Sequence, residues 1–315
     1  MNAAATDKPV IVVTAADLAP QALALLQDFE LVFAGKTPTE EGVATLCREH
    51  NPVAIIVRYG KVGAAAMDAA PALRVISKHG SGTDTIDKAA AAQRGIQVVA
   101  AVGVNAAAVA EQALALLLAC AKSVVGLDTR MRAGHWDKST HKSLELGGKT
   151  IGLIGLGAIG QRMAAMVHGM NMRVIGFDPY AKNLPDYIES VPLDAIWRES
   201  DVVSLHCPLT EDNHGMVNAS TLAQCRPGVI LVNTARGGLV DEEALLQAVR
   251  SGHVQAAGLD SFAVEPMTAD HPFQQEPRIV LSPHIGGVTS AAYVNMGVAA
   301  ARNVQEVLAR DKAQA

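Results

Sequence analysis

The chain has 315 residues, of which half are hydrophobic and only 3% aromatic, and its formal net charge is −5. No cluster of Lys and Arg accompanies that charge, which argues against a nucleic-acid partner. A length well above the usual ~150 residues per domain predicts two domains. Cores filled by Ala, Val, Leu and Ile favour buried parallel strands covered by Ala-rich helices.

Cysteine spacing and apolar runs indicate where the protein is expected to reside. The four cysteines lie far apart without a C-x-x-C pair, and residues 1–9 contain no apolar run that could serve as a signal peptide. The longest apolar run, residues 113–121, is much shorter than the ~20 residues of a membrane span. We therefore expect a chain in the reducing cytoplasm without a membrane partner.

The first hundred residues alternate short aliphatic runs with helical stretches, a pattern typical of a parallel sheet covered by helices. The runs begin at Val10, Leu31, Val53, Leu73 and Ile96. One helix has a predicted start at Thr37, with Pro38 in the first helical position and Glu40 completing a capping box. A long apolar helix, residues 109–125, is predicted to lead into the second half of the chain.

From residue 149 the alternation resumes with six predicted strands. They cover residues 151–155, 174–178, 202–205, 229–232, 255–259 and 279–281. A final amphipathic helix, residues 289–310, follows two glycines and is expected to return to the first unit. The predicted division is a discontinuous substrate-binding domain, 1–102 with 288–315, and a cofactor-binding domain, 103–287.

Three glycines with G-x-G-x-x-G spacing follow the first of these six strands. Gly155 permits a tight turn, Gly157 lets the backbone approach a pyrophosphate, and Gly160 lets the next helix pack closely on its strand. The phosphate would bind at the N–H groups of the helix N-terminus. Asp178 ends the next strand, where a carboxylate accepts hydrogen bonds from an adenosine ribose or simply closes a turn. Because this carboxylate would repel a 2′-phosphate, we expect NAD rather than NADP.

Polar residues directly follow the later strands, at the edge where an open parallel sheet binds its ligands. A nicotinamide cofactor bound at this edge exchanges hydride with a substrate, and a 2-hydroxy acid is a substrate that needs few protein groups. Its carboxylate needs a cation that binds both oxygens, and arginine suits this role. Its oxidation also needs a base that titrates near neutral pH, such as an imidazole oriented by a carboxylate. Arg236, His284 and Glu265 can fill these roles, although each alone has an ordinary structural explanation. The sequence contains no Cys and His residues at the spacing of a metal site that would suggest another chemistry, so no metal is expected.

Several stretches together resemble the D-isomer-specific 2-hydroxyacid dehydrogenase family. They are GSGTDTID at 80–87, Asn105 with VAE at 109–111, GKT at 148–150 with the glycine motif, LHCPLT at 205–210, NTARGGLVD at 233–241, LD at 259–260 with EP at 265–266, and SPHIGG at 282–287. The resemblance covers nearly the whole chain. It implies an α/β fold of two doubly wound parallel-sheet domains, a Rossmann-type NAD domain and a smaller flavodoxin-like substrate domain. The implied reaction is hydride transfer between NAD and a small 2-hydroxy or 2-keto acid.

The resemblance also assigns site residues. Arg236, Glu265 and His284 would be catalytic, Asp260 would hold the nicotinamide carboxamide, and the backbone of residues 80–82 would cradle the substrate carboxylate. The expected cofactor-binding residues are Gly155, Gly157, Ala158, Ile159, Gly160, Asp178, His206, Pro208, Thr234, Ala235, Asp260, His284 and Gly286. The expected substrate-binding residues are Arg58, His79, Gly80, Ser81, Gly82, Arg236 and His284. Because family members are usually dimers paired around the long helix and the segment after it, a homodimer is expected.

Departures from the family pattern concern the substrate. Thr85 stands where relatives often carry Asn, and Tyr59 follows Arg58 where they often carry Ser. Lys78 and His79 either add positive potential beside the loop at 80–82 or are a solvated strand end. These features favour a substrate with a second anionic or polar group. Two other functions stay open: an NAD-sensing binding protein of the corepressor type on the same scaffold, and an enzyme that oxidises phosphite or formate.

Overall fold

The computed structural model describes residues 8–314, so most of the segment in which no signal peptide was expected lies outside the described residues. The chain divides into two compact units, Met1–Asn105 with Gly287–Ala315 and Ala106–Gly286. These divisions fall close to the expected boundaries at 102 and 287. The substrate-binding role expected for the first unit stays a prediction.

The first unit is built on a five-stranded parallel sheet. Its strands are β1 Val10–Val13, β2 Glu30–Phe33, β3 Ala54–Val57, β4 Val75–Lys78 and β5 Gln97–Ala100. Their order in the sheet is β2-β1-β3-β4-β5, the flavodoxin-like order with a switch point between β1 and β3. All four residues of β3 are buried, which explains why its sequence is a continuous aliphatic run rather than an alternating one.

Four helices follow the strands of this unit. They are α1 Pro20–Leu25, α2 Glu40–His50, α3 Ala64–Asp68 and α4 Lys88–Gln93. The predicted start of α2 at Thr37 was wrong, because Thr39 is the N-cap and its hydroxyl accepts a hydrogen bond from Gly42 N at 3.0 Å. This later start places the carboxylates of Glu40 and Glu41 in the first turn, beside the positive end of the helix dipole.

The second unit contains a seven-stranded parallel sheet. Its strands are β6 Thr150–Ile154, β7 Arg173–Phe177, β8 Ile188–Ser190, β9 Val202–Leu205, β10 Val229–Asn233, β11 Val254–Leu259 and β12 Ile279–Leu281. The order β12-β11-β10-β9-β6-β7-β8 contains the 3-2-1-4-5-6 arrangement of a Rossmann fold, with its switch point between β6 and β9. The expected six strands miss β8, a three-residue edge strand in which only Ile188 is buried, so it carries no aliphatic run.

The helices of the second unit cover both faces of this sheet. They are α5 Ala106–Lys122, α6 Val124–Arg132, α7 Ala158–Gly169, α8 Leu193–Glu199, α9 Ala219–Gln224 and α10 Glu242–Arg250. Val202 and Ile230 pack into the cluster on the side of α5 and α7, whereas the neighbouring Val203 and Leu231 pack into the cluster on the opposite side. Each central strand is therefore buried on both faces.

The predicted long helix at 109–125 was wrong at its end. α5 stops at Lys122, Ser123 takes a left-handed conformation with φ 52°, and α6 continues at an angle of 59° to α5. The apolar pattern did not reveal this break, because Val124 and Val125 resume it directly after Lys122 and Ser123, although both of their side chains are exposed. No single helix among the described residues is long and apolar enough to cross a membrane, and α5 with α6 meets that criterion only as a bent pair.

The closing helix, α11 Ser290–Gln314, packs against the sheet of the first unit. Ser77 Oγ on β4 donates to the carbonyl of Ala300 at 3.0 Å, and Asn303 Nδ2 donates to the carbonyl of Ala100 at 3.2 Å. Ala300 and Val304 are fully buried in the same cluster as β1 and α1. The last helix therefore completes one face of the first unit.

Candidate active site

The glycine turn after β6 leaves an open helix N-terminus. Gly155 has φ 95°, and a Cβ there would lie 2.6 Å from Cys207 N. A Cβ on Gly160 would lie 2.0 Å from the carbonyl oxygen of Gly155, so only glycine allows α7 to approach the turn this closely. Gly157 is the N-cap of α7 and makes no side-chain capping bond. The first amides of α7, beginning at Ala158 and Ile159, are therefore available to an anion.

Asp178 ties the glycine turn to the end of β7. Its Oδ2 accepts from Leu156 N at 2.8 Å, and its Oδ1 accepts from Tyr180 N at 2.9 Å. Each carboxylate oxygen has a further lone pair for a ligand hydroxyl. Asp178 therefore stabilises the turn, a role that the sequence analysis gave only as an alternative. Its remaining lone pairs can still accept hydrogen bonds where a ribose is expected.

The residues that directly follow β9 and β10 present buried side-chain polar atoms without a partner in the described part of the chain. They are His206 Nδ1 and Thr234 Oγ1. The other ring nitrogen of His206 is paired with Ser204 Oγ at 2.9 Å. Burial lowers the pKa of His206 to about 4, so its imidazole is neutral at pH 7. Buried polar atoms of this kind fit a site that is completed by a polar ligand.

Arg236 lies in a turn whose backbone is hydrogen-bonded at two points by the buried side-chain amide of Asn233. Asn233 closes β10 and is fully buried; its Oδ1 accepts from Ala235 N and its Nδ2 donates to the carbonyl of Arg236, both at 2.9 Å. Arg236 Nη1 donates to the carbonyl of Ala235 at 2.7 Å. Sequence reasoning missed the role of Asn233, although an Asn that ends a buried strand before a polar turn is a recognisable signal.

His284 and Glu265 form a hydrogen-bonded pair in the second unit. His284 Nδ1 lies 2.7 Å from Glu265 Oε2, and Glu265 Oε1 accepts from Phe262 N at 2.9 Å. The hydrogen bond to Glu265 raises the pKa of His284 against the effect of burial. Burial opposes ionisation of Glu265, but its hydrogen bonds from His284 and Phe262 N and the charges of His284 and Arg236 outweigh it, so its pKa is lowered. Arg236 therefore lies near enough to act on both groups.

Asp260 organises the loop that carries His284. Its side chain is 1% exposed, Oδ1 accepts from Ser282 Oγ and from Ile285 N, and Oδ2 accepts from Gly286 N at 2.7 Å. These bonds support the left-handed backbone of His284, φ 53°, which costs a non-glycine residue about 1 kcal/mol. The N–H of Gly286, a predicted cofactor contact, is thus already bound to Asp260. Pro208, another predicted contact, is exposed after β9.

The predicted substrate residues lie in the first unit, apart from Arg236 and His284. Arg58 Nη1 pairs with Asp17 Oδ1 at 2.9 Å, and its guanidinium lies over the rings of Tyr59 and Tyr293. His79 is 5% exposed; burial, with the charges of Arg58 and Lys78, lowers its pKa to about 4. Sequence reasoning missed the contacts of Asp17 and Tyr293, which are distant in the chain from Arg58.

The loop expected to cradle a carboxylate connects β4 to the segment before α4. Gly80 has φ 139°, and Ser81 Oγ lies 3.2 Å from Asn105 Oδ1. Ser81 is exposed and Gly82 half-buried. Gly80 is buried and its N–H donates to the carbonyl of Lys78 at 3.0 Å, so of these three residues only Ser81 and Gly82 reach the surface.

Comparison with known proteins extends these observations. Residues 114–286 match the family model described as D-isomer specific 2-hydroxyacid dehydrogenase, NAD binding domain. A D-3-phosphoglycerate dehydrogenase of Mycobacterium leprae is 43% identical over 81% of this chain and 49% of that protein. A hydroxypyruvate reductase of Thermotoga maritima is 42% identical over 76% of this chain and 78% of that protein. A solved structure from Thermus thermophilus, 36% identical, has a TM-score of 0.87 and covers 95% of this chain and 97% of that one.

The chain belongs to the D-isomer-specific 2-hydroxyacid dehydrogenase family, and its second unit is an NAD-binding domain. The predicted family and the predicted fold class are confirmed. The chain spans about half the length of the phosphoglycerate dehydrogenases that it matches.

An alanine at position 157 should preserve the fold and impair cofactor binding. A Cβ on Gly157 meets no heavy atom within 4 Å, so we expect Gly157→Ala to unfold at the wild-type temperature. Since that Cβ takes space where the pyrophosphate approaches, NADH affinity should fall at least about tenfold by calorimetric titration. Gly169→Ala, at the other end of α7 and equally open, is the control. Wild-type NADH affinity in Gly157→Ala would contradict the assignment.

Removing the charge of Glu265 should lower the pKa of His284, because the carboxylate is the main cause of its elevation. We expect a downward shift in Glu265→Gln by NMR titration of the imidazole, and none in Glu211→Gln on an exposed loop. Because the pKa of His284 is raised in the folded protein, protonation of His284 adds to the free energy of unfolding. This contribution is fully present below about pH 6.5 and is lost as the pH rises through the pKa of the folded state. The contribution of Glu265 is lost as pH falls through its lowered pKa. An unchanged His284 titration in Glu265→Gln would contradict the pairing.

Proposed function

We propose that this protein is an NAD-dependent 2-hydroxyacid dehydrogenase. The observation that carries the proposal is the His284–Glu265 pair, 2.7 Å apart, with Arg236 near enough to shift the pKa of both. Bound NAD would supply hydride exchange with C2 of the substrate. The glycine turn, Asp178, His206 and Thr234 would hold the cofactor, with Ala235, Asp260 and the loop after His284 around it.

His284 would exchange the proton of the C2 oxygen. Because Glu265 occupies Nδ1, the other ring nitrogen, Nε2, is the one that faces a substrate. The raised pKa keeps the imidazolium populated at higher pH than in an isolated histidine, which favours reduction of a 2-keto acid; oxidation requires the neutral ring and is favoured as pH rises through that pKa. Arg236 would bind the substrate carboxylate, since its planar guanidinium matches the two oxygens.

We propose that the cofactor is NAD rather than NADP. Asp178 already accepts two backbone hydrogen bonds, so its carboxylate is held in place at the end of β7 and cannot turn away from a ligand. A fixed negative charge at this position repels a 2′-phosphate and accepts hydrogen bonds from ribose hydroxyls.

The first unit, residues 1–102 with 288–315, would bind the substrate. The backbone of Ser81 and Gly82 would hold its carboxylate, whereas the N–H of Gly80, also expected there, already donates to the carbonyl of Lys78 at 3.0 Å. Arg58 and Lys78 place positive charge beside His79, which favours a second anionic or polar group, although Asp17 pairs with Arg58 and offsets part of that charge. Relatives named D-3-phosphoglycerate dehydrogenase, hydroxypyruvate reductase and glyoxylate reductase support the substrate class of small 2-hydroxy and 2-keto acids.

A steady-state assay with NADH and a panel of 2-keto acids tests the function. We expect turnover, and we expect His284→Ala to lower kcat by about 10²- to 10⁴-fold, the contribution of a general acid–base. His168→Ala, an exposed histidine at the end of α7, should keep wild-type kcat. NADH binding without turnover of any keto acid would overturn the proposal and is the behaviour of a cofactor sensor.

We also propose that two copies pair through the NAD-binding domain. Val124, Val125 and Met131 on α6 and Trp136 after it are all at least half exposed, and Trp136 is 72% exposed. A second copy would remove this apolar surface from water.

Sedimentation velocity checks the dimer. The wild type should sediment near twice its chain mass of 32.8 kDa, and Trp136→Asp should weaken association at least about tenfold, because a large aromatic side chain at the centre of an interface contributes strongly. Tyr180→Ser, which alters an exposed aromatic residue in the loop after β7, should leave the mass unchanged. A wild-type monomer at micromolar concentration would overturn this arrangement.

A further inference from the structure

The loop between β11 and β12 carries Glu265, and a carboxylate from another element holds this loop. Glu242 is the first residue of α10, and its Oε1 accepts from the backbone N–H of Ala263 at 2.9 Å. Ala263 follows Phe262, whose own N–H donates to Glu265 Oε1. Consecutive amides of the loop are thus bound by two carboxylates, one from α10 and one from the loop itself.

Glu242 is itself oriented by a histidine. Its Oε2 lies 3.3 Å from His271 Nε2. His271 Nδ1 accepts from Phe273 N at 3.3 Å, so in the neutral ring the proton is on Nε2 and points to Glu242. The ring of His271 also stands edge-on to the ring of Phe273, which is 1% exposed in the core of the second unit. A chain of contacts therefore runs from the core through His271 and Glu242 to Ala263.

The same loop also packs closely against the backbone of the turn that follows Arg236. A Cβ on Gly237 would lie 1.9 Å from the carbonyl carbon of Phe262. Gly237 opens the short 3-10 helix Gly237–Leu239, directly after Arg236. Phe262 and Ala263 thus contact both the turn that follows Arg236 and, through the carboxylate of Glu242, the start of α10.

We infer that Glu242 and His271 act as a positioning pair that sets where Glu265 meets His284. The expected effect on catalysis rests on the proposed function, whereas the expected effect on the position of Glu265 relative to His284 does not depend on it. Neither residue touches the reacting groups; they act through the backbone of Ala263. A displacement of about 1 Å in a catalytic group can lower turnover about 10²-fold, so anchoring this loop would matter for catalysis.

The competing explanation is that Glu242 only stabilises the N-terminus of α10. Glu243 offers a matched test, because it lies in the same first turn, is exposed, and accepts a hydrogen bond from Gln247 Nε2 on its own helix. A contribution through the helix dipole would be shared by both acids. A contribution through the loop belongs to Glu242 alone.

The experiment compares Glu242→Ala, Glu242→Gln and Glu243→Ala in the full chain. The first readout is the pKa of His284 in the enzyme without cofactor, by NMR titration of labelled imidazoles, with the resonance assigned from His284→Gln. Apart from its own Glu265, the charged groups that act on His284 are Asp260 and Arg236, and neither is altered. The second readout is kcat with NADH and a 2-keto acid, alongside NADH affinity.

We expect Glu242→Ala to lower the pKa of His284 and to lower kcat about tenfold to a hundredfold with unchanged NADH affinity. Glu242→Gln, which keeps one acceptor for Ala263, should lie between it and the wild type, and Glu243→Ala should match the wild type. A wild-type His284 pKa in folded Glu242→Ala, or an equal change in Glu243→Ala, overturns the inference. Because the NMR readout needs no turnover, it decides the inference even if the wild type reduces no keto acid.

Discussion

Burial of the parallel sheet on both faces is the constraint from which the site follows. Strands such as β6, β9 and β10 are covered on both sides, so a polar side chain along their length would lose hydration without gaining a partner. Apart from Ser204, whose hydroxyl is paired with the ring of His206, the polar side chains of these three strands therefore lie at the strand ends. In a parallel sheet the carboxyl ends share one edge, which brings Gly155, Asp178, His206 and Asn233 together although they are far apart in the chain.

The polar groups at that edge fall into two kinds. The side chains of Asn233 and Asp260 are buried, and each makes two hydrogen bonds to backbone groups of the neighbouring turn. They therefore fix the conformation of the turns that carry Arg236 and His284. His206 Nδ1 and Thr234 Oγ1 are buried without a partner in the described residues. The satisfied groups build the scaffold, whereas these two unsatisfied atoms, at the carboxyl ends of β9 and β10, are ones that the proposed cofactor would pair with.

The accuracy of the sequence predictions followed the strength of the local signal. Aliphatic runs located the central strands within about two residues, but β8 was missed because an exposed edge strand needs no such run. The cap of α2 was misplaced because Thr37 and Thr39 offer the same hydroxyl, and local pattern does not decide between them. The break at Ser123 was missed because apolar residues resume immediately after it, at Val124 and Val125.

The sequence by itself determined the elements, the glycine turn and the residue types at the strand ends, because each depends on neighbours within a few positions. The tertiary structure alone decided which groups pair: Glu265 with His284, Asp260 with the loop after β12, Arg58 with Asp17 and Tyr293, and Glu242 with His271 and Ala263. Such pairs join residues from different elements, and their hydrogen bonds depend on positions set by the packing of whole helices and strands. No local pattern in the chain carries that information.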